Sequence, residues 1–342
     1  MTWGSDPVGN WRQTAMARDE GMMEEPLHVP VMSTEVVDAM LGGARPGPLR
    51  LVDLTFGLGG HSRALLEAAP AGSEILSLDR DPEALSIARE TLAPFGVRVH
   101  AVHACFSELP EQLAKLNWPS VDGVFGDLGV SSLQLDSPDR GFSFRTDAAL
   151  DMRMDASHGE TAADLLAEID EMALTKVIRE LGEEPAARRI ARAICQEEPR
   201  PTTTAELRAL VGRVAGGPRH HRRRIDPATL TFQALRICVN RELEELESVL
   251  AMLPEILASD GRAVFLAYHS LEDRRVKRAF REWMRACVCP RELLVCQCGG
   301  EPRAFAVVRG AMKPSADEVG RNPRARSARM RAIRWGGSDG RG

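Results

Sequence analysis

Apolar and polar positions follow two different rhythms along the chain. In the first third, short apolar runs bounded by Gly, Pro and Asp predict buried strands at Leu49–Phe56 (LRLVDLTF), Glu74–Asp79 (EILSLD), Val97–Cys105 and Val121–Leu128 (VDGVFGDL). Helices are predicted between them, over Ser62–Ala69, from Pro82 onward and over Ser107–Leu116, with Pro82 suited to the first helical position. Such alternation predicts a parallel sheet wrapped by helices, an α/β fold. From about Asp136 to Pro227 strands disappear, and helical patterns cover Ala162–Leu181, Pro185–Gln196 and Thr204–Val214. A long helix over Thr229–Leu257 then leads into a strand at Gly261–His269, with Phe305–Arg309 and Met330–Trp335 as candidate last strands. The predicted organisation is a flexible leader (1–26), a first core part (27–135), an inserted all-helical domain (136–228) and a second core part (229–336).

A chain of 342 residues, 44% hydrophobic and 27% charged, buries enough surface to fold without a disulfide or a metal. No apolar run reaches the length of a membrane span, and the leader has no apolar segment of secretory type. A cytoplasmic protein without a membrane partner is expected. The net charge of −5 conceals local basic clusters. Only Lys115, Lys176, Lys277 and Lys313 are lysines among 44 basic residues. Arg is concentrated in Arg219–Arg224 and in the run Arg321, Arg324, Arg326, Arg329, Arg331 and Arg334, which has no acid within it. These are either solvated segments or a directed contact with nucleic acid phosphates.

The loop after the first strand, Asp53–Ser62 (DLTFGLGGHS), carries the most chemistry. Gly57, Gly59 and Gly60 let a ligand approach the backbone closely at the carboxyl end of a parallel strand. The dinucleotide fingerprint G-x-G-x-x-G is incomplete, because Ser62 occupies its third glycine position. Asp53 would repel a pyrophosphate but suits a ligand bearing an ammonium and a sulfonium. Asp79, ending the second strand, is placed to accept ribose hydroxyls, while Asp81 before Pro82 is the better candidate for a helix cap. Phe106 is placed against an adenine face and Asp127 ends the fourth strand at the same rim. S-adenosylmethionine (SAM) is the ligand these features fit.

At these positions the sequence resembles the RsmH family, also called MraW. The resemblance rests on DLTFGLGGHS (53–62), LDRDP (78–82), DLGVSS (127–132), DRGFSF (139–144), LDMRMD (150–155), RRIARAI (188–194), FQALRICVN (232–240), HSLEDR (269–274) and NPRARS (322–327). It implies a class I, Rossmann-like SAM-dependent methyltransferase core with an inserted helical substrate-recognition domain. The implied reaction is methylation of N4 of a cytidine in the decoding centre, the P-site region, of bacterial 16S rRNA in the small ribosomal subunit, not of DNA. It also implies cofactor contacts from Gly59, Gly60 and His61, with Asp79 at the ribose, Phe106 near the adenine, and Asp127 and Gln134 completing the pocket. Three positions depart from the family pattern: Gly126 replaces a bulkier aliphatic, Glu184-Pro185 an Arg-Phe pair, and Tyr268 a Phe.

An exocyclic cytosine amine is a weak nucleophile, so an acceptor for its proton is needed. Asp127 is the candidate acceptor, with Ser131 or Ser132 assisting; the alternative gives Asp127 only a cofactor-ordering role. His269 more often suits a structural hydrogen bond than catalysis. Phe142 and Phe144 are candidates for stacking on an extruded base, or for packing the insert onto the core. Arg188, Arg189 and Arg192 share one side of a predicted helix and suit phosphates. Cys287, Cys289, Cys296 and Cys298 match a structural zinc donor set; thiols or a redox-dependent disulfide are the alternatives, and no metal is needed for catalysis. A SAM-binding ribosome-assembly factor without turnover and an NAD-dependent oxidoreductase are the competing functions.

Overall fold

The computed structural model describes residues 30–44, 46–215, 226–287, 289–290, 292–295, 297 and 300–336. Seven strands form one sheet: β1 (Arg50–Asp53), β2 (Glu74–Asp79), β3 (Val99–His103), β4 (Val121–Asp127), β5 (Leu257–Ala267), β6 (Ala304–Ala306) and β7 (Arg329–Trp335). Their spatial order is β3-β2-β1-β4-β5-β7-β6, parallel from β3 through β5 and antiparallel at β7 and β6. Leu51 and Val52 are both fully buried, on opposite faces. Burial on both faces is why these strands read as continuous apolar runs rather than alternating ones.

One face is covered by α4 (Leu109–Lys115), α11 (Glu242–Ile256) and α12 (Ser270–Trp283), which press Leu113, Leu250 and Phe280 onto Val52, Leu76 and Val124. The other is covered by α1 (Ser33–Leu41) and α2 (Gly60–Ala68), with Met40 and Leu65 against Leu51, Ile75 and Phe125. Helix α3 (Pro82–Leu92) starts at an Asp81 cap whose carboxylate accepts from Glu83 N at 3.1 Å. A short α5 (Ser132–Asp136) follows β4, and α13 (Ala316–Arg321) precedes β7.

Between β4 and β5 the chain forms α6 (Ala162–Glu168), α7 (Glu171–Gly182), α8 (Ala187–Gln196), α9 (Thr204–Ala215) and α10 (Thr229–Asn240). These share an apolar cluster of their own, including Leu166, Ile178, Ile190, Leu207 and Phe232. Two helices expected to be continuous are broken. The segment 162–181 divides because the Asp170 carboxylate caps Ala173 N at 2.7 Å and starts a new helix. The segment 229–257 divides at Arg241, which adopts φ 50°. There Asn240, 5% exposed, turns its amide to Met152 O and Met154 N, each at 2.7 Å. As a result α10 joins the helical cluster, α11 returns to the sheet, and Leu257 opens β5. Just before α8, Glu184, 1% exposed, accepts from Ala186 N at 2.8 Å, which shapes the turn into the helix. Among the described residues no helix is long and apolar enough to cross a membrane.

Candidate active site

A cavity of about 620 Å³ opens at the carboxyl edge of the parallel strands. The loop after β1 forms one wall. Asp53 lies beneath it, fully buried, with Oδ2 accepting from Ser62 Oγ at 2.7 Å and Oδ1 from Thr55 N at 3.0 Å. Ser62 Oγ also meets Ser77 Oγ at 2.9 Å, so β1, α2 and β2 are laced together below the ligand wall. Burial raises the Asp53 pKa, against the pull of its Ser62 hydrogen bond. Asp53 lies behind the cavity lining rather than in it. Its oxygens are engaged by the loop itself, and this also explains the missing third glycine: the Ser62 side chain is the donor that holds Asp53.

Gly57, Leu58, Gly60 and His61 line the cavity, whereas Gly59 does not. Gly59 instead caps α2 at φ 83°, packed against Ala88, Leu92 and Phe56, so its glycine serves the turn. Asp79 lines the cavity and accepts from Gly57 N at 2.7 Å and Asp81 N at 2.9 Å. Burial pushes its carboxyl up to about 6. Phe106 follows β3 on the same wall. Gln134 also reaches it, but its amide is employed, Nε2 donating to Asp81 at 3.0 Å and Oε1 accepting from Ser131 N at 3.1 Å.

Asp127 ends β4 on the cavity floor, 24% of its side chain exposed. Its backbone N–H donates to Thr55 Oγ1 at 2.6 Å, which aligns the ends of β4 and β1. The hydroxyl of Tyr268 donates to Asp127 Oδ1 at 2.7 Å, and His61 Nε2 stands 3.4 Å from Oδ2. His61 is buried against the Phe125 ring, centroids 4.6 Å apart, and neither ring nitrogen has a hydrogen-bond partner. Gly126, beside this aspartate, is compensated by Phe265: a Cβ at 126 would stand 3.0 Å from that ring. Ser131 and Ser132 line the same rim.

The opposite wall is charged. Arg236 grips Glu242 with two hydrogen bonds, at 2.7 and 2.8 Å, and Glu272 and Glu245 lie beside it. Sequence reasoning named none of these, because only the break at Arg241 brings α10 and α11 around the cavity. His269 is not a lining residue. It caps α12, with Nδ1 accepting from Glu272 N at 3.4 Å and Nε2 lying 3.0 Å from Glu272 Oε1.

The expected substrate residues do not gather at the cavity. Phe142, 8% exposed, packs inside the helical cluster, so its assignment to base stacking is corrected: a ring enclosed by its own core cannot receive a base. Phe144 packs edge-on against Phe232, centroids 4.9 Å apart. Arg188 and Arg192 are exposed on α8, away from the cavity lining, with Arg192 Nε 3.4 Å from Glu171. The Arg222–Arg224 cluster lies outside the described residues. Much of the C-terminal Arg run is already paired: Arg331 with Asp273 at 2.7 Å, Arg324 with Asp136 and Arg334 with Asp260. Of the four cysteines read as a zinc set, as thiols or as a redox-dependent disulfide, Cys287 and Cys289 are described, while Cys296 and Cys298 lie outside the described residues.

The strand order and a cavity at the carboxyl ends of β1, β2 and β4 define a class I, Rossmann-like methyltransferase fold. Residues 25–335 match the model of the MraW methylase family, and the chain belongs to that family. It is 47% identical over 313 residues to the ribosomal RNA small subunit methyltransferase H of Solidesulfovibrio magneticus, covering 91% of this chain and 96% of the relative. Its identity to the protein of the same name from Anaeromyxobacter sp. (strain K) is 48% over 309 residues, covering 90% and 97%.

Proposed function

We propose that the chain transfers a methyl group from SAM to N4 of a cytidine in the decoding centre, the P-site region, of bacterial 16S rRNA. The observation that carries this reading is the convergence of His61, Asp79 and Asp127 on one cavity, in a chain whose relatives are named small-subunit rRNA methyltransferases. The residues present fit SAM by their chemistry. Asp79 offers a carboxylate to ribose hydroxyls, Phe106 an apolar face to adenine, and the loop at Gly57 and Gly60 close backbone approach. His61, with both ring nitrogens unpartnered, has hydrogen-bonding capacity to give. When bound, SAM supplies the electrophilic methyl group.

The protein's part is positioning and proton handling. The cavity walls would orient the amine toward the methyl group, and holding the two reactants together lowers the entropic cost of the encounter. Asp127 would accept the amine proton released as the methyl passes from sulfur to nitrogen, the methyl–sulfur bond breaking with its electron pair left on sulfur. Ser131 and Ser132 border the same position. The helices between β4 and β5, comprising 136–228 and extended by α10, receive the folded rRNA of the small subunit, with Arg188 and Arg192 following its phosphates.

The test is incubation of the purified protein with labelled SAM and small ribosomal subunits lacking native methylation, followed by nucleoside mass spectrometry. N4-methylcytidine is the expected product. Label on another nucleoside would overturn the target. SAM binding without label would favour an assembly factor without turnover, and NADH binding in place of SAM would restore the oxidoreductase reading.

A further inference from the structure

Tyr268 is the chain's single tyrosine. It follows the last residue of β5, next to β4, with Leu266 paired to Asp127 across the two strands. That register brings its ring alongside Gly129, where a Cβ would lie 3.7 Å from Cδ2, and its hydroxyl to Asp127 Oδ1 at 2.7 Å. Its backbone N–H donates to Glu272 Oε2 at 2.8 Å, which fixes the root of the side chain. A phenylalanine would fill the same volume but leave Asp127 without this donor.

We propose that Tyr268 is a positioning residue for methyl transfer, holding the Asp127 carboxylate toward the amine through its hydroxyl. The inference rests on the reading of Asp127 as proton acceptor. Burial, followed by the charge of Asp127, raises the phenol well above 10, so Tyr268 remains a donor throughout the working pH range. Tyr268 engages Oδ1 at 2.7 Å, while Oδ2 stands 3.4 Å from His61 Nε2 without a hydrogen bond, so the tyrosine hydroxyl is what fixes the carboxylate's direction. Other charged groups face this pair: Asp53 lies near Asp127 beneath β1, and Glu272 of α12 and Glu318 of α13 lie near Tyr268. All of them are retained when only the hydroxyl is removed.

The experiment is single-turnover methylation of undermethylated small subunits at saturating SAM, over a range of subunit concentrations, with wild type, Y268F and D127N, and SAM affinity measured by calorimetry. Y268F is expected to react about tenfold more slowly, the cost of losing one hydrogen bond to a charged group. Its SAM affinity is expected to be unchanged. The maximal single-turnover rate should fall while the half-saturating concentration of subunits stays at the wild-type value, the split expected when a group that acts in the chemical step is misplaced. A Y268F maximal rate like that of wild type, beside an inactive D127N, would overturn the role of Tyr268 alone. A slower Y268F whose SAM affinity or half-saturating subunit concentration is weakened in proportion would reduce Tyr268 to packing and also overturn it. D127N turning over at the wild-type rate would instead remove the acceptor reading on which the inference depends.

Discussion

The backbone N–H of Gly57 donates to Asp79 Oδ2 across 2.7 Å, so the glycine loop after β1 is anchored to the acid that ends β2. One carboxylate therefore shapes the loop and faces the cavity. With its pKa pushed up to about 6 by burial, Asp79 must lose a proton before it can accept from ribose hydroxyls with both oxygens. SAM affinity is expected to rise from pH 5 to 7 and level off above that, and calorimetry across this range checks it. Asp79→Ala should weaken binding and flatten the dependence. Stability of the ligand-free protein runs the other way. Its folded carboxyl holds a proton up to about 6 while the ordinary value is 3.8, so this group's contribution falls as pH rises between those values.

Ser62→Ala tests the lacing beneath the loop. The mutation removes the 2.7 Å donor from a fully buried carboxylate and leaves it the Thr55 N–H at 3.0 Å and the Thr55 hydroxyl at 3.5 Å, both on Oδ1. A loss of about 1–3 kcal/mol is expected, read as a lower midpoint in chemical denaturation. An unchanged midpoint would mean that Asp53 stays protonated and finds Ser77 instead.

The sheet was legible in the sequence because burial on both faces writes long apolar runs, and every strand expected from them lies within a few residues of its place. The site was legible where one short segment carries both geometry and chemistry, as in the loop at 57–61. It was not legible where partners come together over long distances. The run from Arg321 to Arg334 contains no acid, yet Asp136, Asp260 and Asp273 are delivered to it by other elements. Phe142 looked available because its neighbours are Gly and Ser, and only the helical cluster shows what encloses it. Helix breaks at Asp170 and Arg241 were hidden because capping and a left-handed residue interrupt an otherwise unbroken apolar period.

Gly126 and Phe265 divide one volume between neighbouring strands β4 and β5. Gly126→Val should overpack that volume and cost about 1–3 kcal/mol. Pairing it with Phe265→Leu should recover much of the loss, and a double-mutant cycle in denaturant measures the coupling. Additive losses would show that the two residues do not share the space.

Arginines that look alike in the sequence should behave differently in solution. Arg331 Nε and Nη2 hold Asp273 at 2.7 and 3.1 Å, at a site where both side chains are nearly buried. Burial would raise the Asp273 pKa, but the hydrogen bonds and charge of Arg331 outweigh it and hold the carboxyl below its usual range. The pair's contribution is therefore complete above 3.8 and is lost only as pH falls through that lowered value. Arg331→Ala should cost about 3 kcal/mol, because it leaves a nearly buried carboxylate with only the longer Arg329 contact, at 3.5 Å. Its effect on binding to small subunits, measured on protein still folded, should be small. Arg188→Ala should leave the denaturation midpoint near wild type, since the side chain is exposed on α8. If it meets a phosphate, the variant binds subunits more weakly, and the slope of log affinity against log salt falls by about one. A wild-type slope for Arg188→Ala would place the rRNA footprint elsewhere on the helical face.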